Sequence, residues 1–329
     1  MANSPRVNNA IKKQAREYQE AHPGTHYTAA REAVLSAPKE PAWNPSPLDR
    51  IIGQPEAKKQ LKRLLASRLA DEARHKWAKD NNTPIKPRKT PPVRLFLSGP
   101  PGVGKTHAAH VVHELTSKSG APFHETCASH LIGNTIGMSA LLTRQVLKDA
   151  GNGTLLIDGI EAFNHNESFR SEVLDVFNAE IPRKPELSVI ITGYRADYDR
   201  ATWHAAREFF GMFTTIVSFS TITADDAVEF ARKLVRESSR HVDEAVLEEI
   251  RAVVEEMHNT RSADGVRLLD RAGSYRFVRN LFENAEYGAD LRLMDKYNGD
   301  YTNVNSDELF CVTVDDVRDA SNIIKDSIR

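Results

Sequence analysis

No stretch of this 329-residue chain approaches the ~20 consecutive apolar residues needed to cross a bilayer, so membrane insertion is not expected. The N-terminal run MANSPRVNNAIKKQARE has no apolar core and does not read as a signal peptide. There are only two cysteines, Cys127 and Cys311, far apart and without metal-ligand spacing, so a reduced, cytoplasmic chain is the expectation. Aromatic residues are sparse at 7%, and the net charge is -1 although 27% of residues are charged. That balance gives no global basic field of the kind that draws nucleic acid. Internal repeats and long low-complexity tracts are missing too. What is left is a globular chain long enough for two or three domains and a sizeable buried core.

Punctuation divides it. Residues 1–37 read as a small helical module: a polar helix from Asn9 to Ala21, a break at Pro23–Gly24, and a short helix from Tyr27 to Leu35. Residues 38–47 are a linker; the run from Ala37 to Pro47 holds four prolines in eleven residues. A helix is expected from Pro55 to about Lys79, then a polar, proline-rich loop from Lys79 to Pro92. Next, short apolar strands alternate with helices. The strands are Val93–Ser98, Phe123–Cys127, Thr154–Asp158, Leu187–Thr192 and Thr215–Ser220; the helices are Lys105–Lys118, Ser139–Ala150 and Ser168–Ala179. This alternation predicts an α/β region, 48–221, with a parallel sheet covered on both faces. Residues 222–329 change pattern, with helices at Ala224–Glu237, Asp243–His258, Tyr275–Ala289 and Val314–Ile328 and a strand-like start at Leu309.

The stretch GPPGVGKTH follows an apolar strand and opens a helix. Gly99, Gly104, Lys105 and Thr106 fit G-x-x-x-x-G-K-[ST], a loop whose backbone N–H groups form a nest for phosphate oxygens. The following helix adds its positive dipole end. Gly99, Pro100, Pro101, Gly102, Val103, Gly104, Lys105, Thr106 and His107 are therefore assigned to ATP. Lys105 reaches the β and γ phosphates, and the Thr106 hydroxyl ligates Mg2+. In LLIDG, an apolar strand ends on Asp158, an acid placed to hold the same magnesium.

Hydrolysis also needs a group that orients the attacking water. Many P-loop enzymes carry a glutamate directly after the aspartate; here that residue is Gly159. Glu161 stands two positions on. A short bend could swing it in as the base; otherwise it is a solvated acid at a helix start. His107, His110 and His113 share a helix, but no carboxylate completes a metal site, and they read as ordinary helix residues. Local basic clusters such as Lys59, Lys62 and Arg63 read as solvated surface.

Taken in order, these pieces resemble the AAA+ ATPases, and within them the CbxX/CfxQ group, which includes red-type rubisco activases, SpoVK and the EccA ATPases. LDRIIGQPEAKKQL is similar to that group's opening motif and HLIGNTIGMSA to its pore-loop segment. LLIDGIEAF resembles its Walker B region, and LSVIITGYRADYD its sensor 1 strand, with Tyr194 at the sensor position. SYRFVRNLFENA resembles its lid motif, with Arg276 as the sensor 2 arginine. The resemblance covers about Leu48 to Ala289. It implies a P-loop AAA+ fold, a five-stranded parallel sheet followed by an all-helical lid, with ATP at the junctions of a ring. It further implies a protein partner pulled into a central pore. Three departures stand out: Gly159 for the Walker B glutamate, Thr135 for the pore-loop aromatic, and Phe210 and Met212 where the group has finger arginines. The function expected is an ATPase remodelling a protein partner. The alternatives are a hydrolysis-deficient regulatory subunit of a mixed ring and a DNA-associated loader or initiator. Substrate identity is not legible.

Overall fold

The structure is a computed structural model, and it describes residues 47–85, 91–164, 167–194, 204–302 and 304–328. The expected helical module at 1–37, and all but the last residue of the linker at 38–47, lie outside the described residues. The described residues fall in one compact unit, Pro47–Arg329.

Five short strands build the centre: β1 Arg94–Ser98, β2 Phe123–Cys127, β3 Thr154–Asp158, β4 Ser188–Gly193 and β5 Thr215–Ser218. They pair in parallel in the order β2-β3-β4-β1-β5. Leu95, Phe96 and Leu97, Leu155, Leu156 and Ile157, and Val189, Ile190 and Ile191 are all fully buried. A strand buried on both faces reads as a continuous apolar run, which is why RLFLS, TLLID and SVIITG lack alternation. Phe96, Leu155 and Val189 face one core with Leu131, Ile160 and Phe177, whereas Leu95, Leu97 and Leu156 face another with Val111 and Val112.

The flanking helices are α1 Pro55–Asp80, α2 Lys105–Thr116, α3 Met138–Ala150, α4 Glu167–Glu180 and α5 His204–Gly211. Of these, α5 is not announced by the sequence pattern. Its Phe209 stacks on Phe177 of α4, with ring centroids 5.4 Å apart. A third core, centred on Phe277, Leu281 and Phe282, binds the helical region together. This region holds α6 Ala224–Ser238, α7 Glu244–Asn259, α8 Leu268–Ala272, α9 Tyr275–Tyr297, α10 Ser306–Leu309 and α11 Val314–Ile328. A capping box between Thr223 and Asp226 starts α6, a device worth about 1 kcal/mol. Two corrections apply here. The region also contains a two-residue parallel pair, β6 His241–Val242 with β7 Cys311–Val312. And α9 runs on to Tyr297, well past Ala289.

The opening motif IIGQ has a physical role. Gly53 sits at φ 58°, and a Cβ there would lie 2.2 Å from Asp226 Oδ1 at the start of α6. The Gln54 side chain donates to the Ser220 carbonyl at 2.8 Å and accepts from the Ser220 N–H at 3.0 Å. The segment is thereby pinned beyond the carboxyl end of β5 and against the helical region, where Ile51 and Ile52 line a cavity.

Candidate nucleotide site

The carboxyl ends of β1, β3 and β4 open into one cavity of about 580 Å³, closed on the far side by α6 and α9. Crevices at the carboxyl ends of parallel strands are the usual ligand positions of open α/β sheets. Pro101, Gly102, Val103, Gly104, Lys105, Thr106, His107, Asp158, Glu161, Tyr194 and Arg276 line it. Gly99 and Pro100 do not. Their carbonyls instead accept from the Lys105 ammonium, at 2.8 and 2.6 Å.

The loop is shaped by glycine at two points. Gly104 caps α2 at φ 94°. Gly102, at φ 69°, passes so close to the turn between α8 and α9 that a Cβ would lie 1.8 Å from the Gly273 carbonyl. The Tyr275 N–H donates to the Gly102 carbonyl at 3.1 Å, so loop and lid are joined through backbone. Ser274, wholly buried between them, is held at φ 50° and ψ -111°, a conformation costing about 1–3 kcal/mol.

Burial pushes the Lys105 ammonium below its ordinary value; Asp158 and Glu161 oppose that shift, and Arg276 reinforces it. One lysine thus senses both acids and the lid arginine. Asp158 accepts from the Thr192 hydroxyl, and the Gly159 N–H donates to the same Thr192 oxygen at 3.1 Å. Thr192 escapes the sequence reading because β4 is buried throughout and offers no alternation to mark one residue.

Gly159 turns the chain at φ 74°, and a 3-10 turn over Ile160–Asn164 follows. The turn folds Glu161 back. A Cβ on Gly159 would lie 3.5 Å from Glu161 Oε1, and one on Gly193 would lie 3.3 Å from Glu161 Oε2. The carboxylate therefore lies against Gly159 and Gly193, and Glu161 lines the cavity together with Asp158. Tyr194 follows β4 and is half-exposed at the cavity.

The Thr106 hydroxyl has no hydrogen-bond partner among the described residues, and the Asp158 carboxylate lines the same cavity. Both are hard oxygen donors suited to Mg2+, which takes few protein ligands and completes its shell with phosphate and water. No group of three or more His, Cys, Asp or Glu with metal-binding geometry occurs among the described residues. Residues missed by the sequence reading also line the cavity, among them Phe230, Lys233, Tyr275 and Arg279. For Arg279 a signal existed: in RFVRN it stands three residues after Arg276, on the same helix face.

At the other departures, Phe210 is buried and Met212 packs against the same core, while Arg207 is exposed on α5. Thr135 is exposed as well, but among the described residues the most exposed large apolar side chain is its neighbour Ile136, at 94%. Among the described residues, no helix is long and apolar enough to cross a membrane.

A parallel sheet of this order, a G-x-x-x-x-G-K-T loop at its edge and a helical lid over the cavity define a P-loop nucleotide-binding protein of AAA+ architecture. More particularly, the chain carries an AAA domain: residues 95–213 match the family described as ATPase family associated with various cellular activities (AAA). The chain is similar to the ESX-3 secretion system protein EccA3 of Mycobacterium leprae, 30% identical over 285 residues, which are 82% of this chain and 43% of that one. It is also similar to the ESX-1 secretion system protein EccA1 of Mycobacterium tuberculosis, 29% identical over 256 residues, 75% of this chain and 43% of that one. The chain thus spans less than half the length of these relatives. Among solved structures, the FIGL-1 AAA domain in complex with ADP superposes with a TM-score of 0.56 at 21% identity, covering 84% of this chain and 83% of that one. The Thermotoga maritima RuvB Holliday junction branch migration motor gives 0.53 at 15% identity, covering 85% and 72%. Both structural likenesses speak to the fold alone.

Proposed function

We propose that the chain hydrolyses ATP with Glu161 as the water-orienting base, and that turnover drives remodelling of a protein partner within a ring of subunits. The observation that carries this reading is the return of the Glu161 carboxylate toward Gly159 and Gly193, in the cavity that Asp158 also lines. Lys105 and the loop amides hold the β and γ phosphates, and Arg276 reaches the γ-phosphate from the lid. Thr106 and Asp158 would hold Mg2+, which when bound neutralises phosphate charge. Thr192 keeps Asp158 turned toward the cavity, and Tyr194 flanks the γ-phosphate end. Glu161 accepts the proton of a water whose oxygen forms a bond to the γ-phosphorus, while the bond to the bridging oxygen of ADP breaks. Removing such a base costs roughly 10²- to 10⁴-fold in rate.

The protein partner, the ring and a place in a secretion apparatus rest on the EccA likeness. The loop around Thr135 would meet the partner, with Ile136 supplying the apolar surface that threonine lacks. A second reading, a subunit slow on its own, is favoured by the sequence at 210 and 212, where Phe210 is buried and Met212 partly buried in the core in place of arginines. Arg207 is then the candidate to act in trans. The test is calorimetric ATP binding and steady-state turnover of the full chain beside Lys105→Ala. Binding lost in the variant, with turnover in the native chain, is the expected result; unaltered binding in Lys105→Ala would remove the site.

A further inference from the structure

The cavity has two chemically different ends. Lys105 senses the charges of Asp158, Glu161 and Arg276, and these four groups mark the phosphate end. Arg279 is not among the charges that Lys105 senses, although it lines the same cavity one helical turn beyond Arg276 on α9. Its cationic head lies over an aromatic ring. The guanidinium carbon lies 5.6 Å from the centroid of the Phe230 ring, inside the ~6 Å within which an aromatic face holds a cation. The Phe230 ring packs on Tyr275 with centroids 5.0 Å apart. The Tyr275 hydroxyl donates to the Ile52 carbonyl at 2.9 Å, which fixes that ring in turn. Among the described residues Arg279 makes no ion pair.

We propose that Arg279 recognises the base of the nucleotide. Its flat guanidinium rests on Phe230 and presents its other face to a purine ring. A guanidinium is planar, delocalised and weakly hydrated, so it can stack on π systems from both sides. A lysine cannot do this. The inference rests on the nucleotide reading above and names the part of the ligand that this end of the cavity takes. A phosphate role is disfavoured by position: Arg276 already occupies the face toward Lys105, and Arg279 stands with Phe230 and Tyr275.

The experiment is calorimetric titration of the full chain, native and as Arg279→Ala, Arg279→Lys and Phe230→Leu, with ATP and with inorganic tripolyphosphate, both with magnesium. The native chain is expected to bind ATP more tightly than tripolyphosphate. In all three variants ATP binding should weaken about 3- to 30-fold, the span of one cation–π contact, while tripolyphosphate binding holds. Retained tripolyphosphate binding also reports that each variant is folded. Equal weakening toward both ligands would overturn the proposal, as would a lysine at 279 that restores native ATP affinity, or no change in any variant. A native chain that binds tripolyphosphate as tightly as ATP would overturn this inference alone. A native chain that binds neither would overturn the nucleotide reading itself.

Discussion

Gly159 sits at φ 74°, where any other residue is strained, and Glu161 Oε1 lies 3.5 Å from where its Cβ would be. Putting a glutamate back at 159 would therefore strain the backbone, although its Cβ would meet the Glu161 carboxylate only at ordinary contact distance. Under the proposed function, Glu161 takes over the part of the acid absent at 159. A one-dimensional reading compares residues at fixed offsets; it can note Glu161 but cannot see that a left-handed glycine followed by a 3-10 turn brings it back. His113 gives a second residue-scale prediction. Its Nδ1 lies 2.7 Å from Ser117 Oγ and 2.9 Å from Thr154 Oγ1, with the Phe123 ring edge-on. Burial lowers its pKa; His110 lowers it further and Glu114 opposes. The folded chain thus resists a proton that the unfolded chain accepts near the ordinary histidine value of about 6.5. Stability is kept above that pH and lost as pH falls below it. His113→Gln should therefore flatten the fall in melting temperature between neutral and mildly acidic pH, read by calorimetry.

At the scale of elements, the exposed loop between β2 and α3 is pinned at both ends. The Gly133 N–H donates to the Ser139 hydroxyl at 2.9 Å, and the Gly137 N–H donates to Glu172 Oε1 on α4, also at 2.9 Å. Ile136 therefore projects from a held loop. Glu172→Ala should speed hydrogen exchange at the Gly137 amide by about tenfold, the worth of one charge-assisted hydrogen bond of roughly 1.5 kcal/mol. Glu172→Gln, which keeps the acceptor, should not; unchanged exchange in the alanine variant would remove the pin. The centre of the sheet was readable because β1, β3 and β4 are buried, largely apolar runs bounded by polar turns and glycines. The phosphate loop was readable because its chemistry demands a fixed spacing. The helix His204–Gly211 was not, being a short element whose Phe209 and Phe210 owe their place to packing on Phe177 and Phe213 rather than to periodicity. Nor was the β6–β7 pair, in which residues some seventy positions apart meet over two rungs.

In the molecule as a whole, two of the three cores reach the cavity, one through Ile51 and Val103 and one through Phe230, and the helical region is joined to the Gly99–Lys105 loop by the Tyr275–Gly102 backbone bond and to the opening motif by the Tyr275–Ile52 bond. That backbone bond couples the Gly99–Lys105 loop to α9, which carries both Arg276 and Arg279. Such contiguous packing is the physical basis for turning a local event at the phosphates into motion of a whole helical region. The account stands on the chain being able to cleave what it binds. The most direct test is steady-state ATP turnover of Glu161→Gln beside the native chain, with ATP affinity measured on both. Native turnover that falls at least a hundredfold in the variant at unchanged affinity is the predicted result. Equal turnover in the two chains would contradict it and return Glu161 to the role of a folded-back but idle acid.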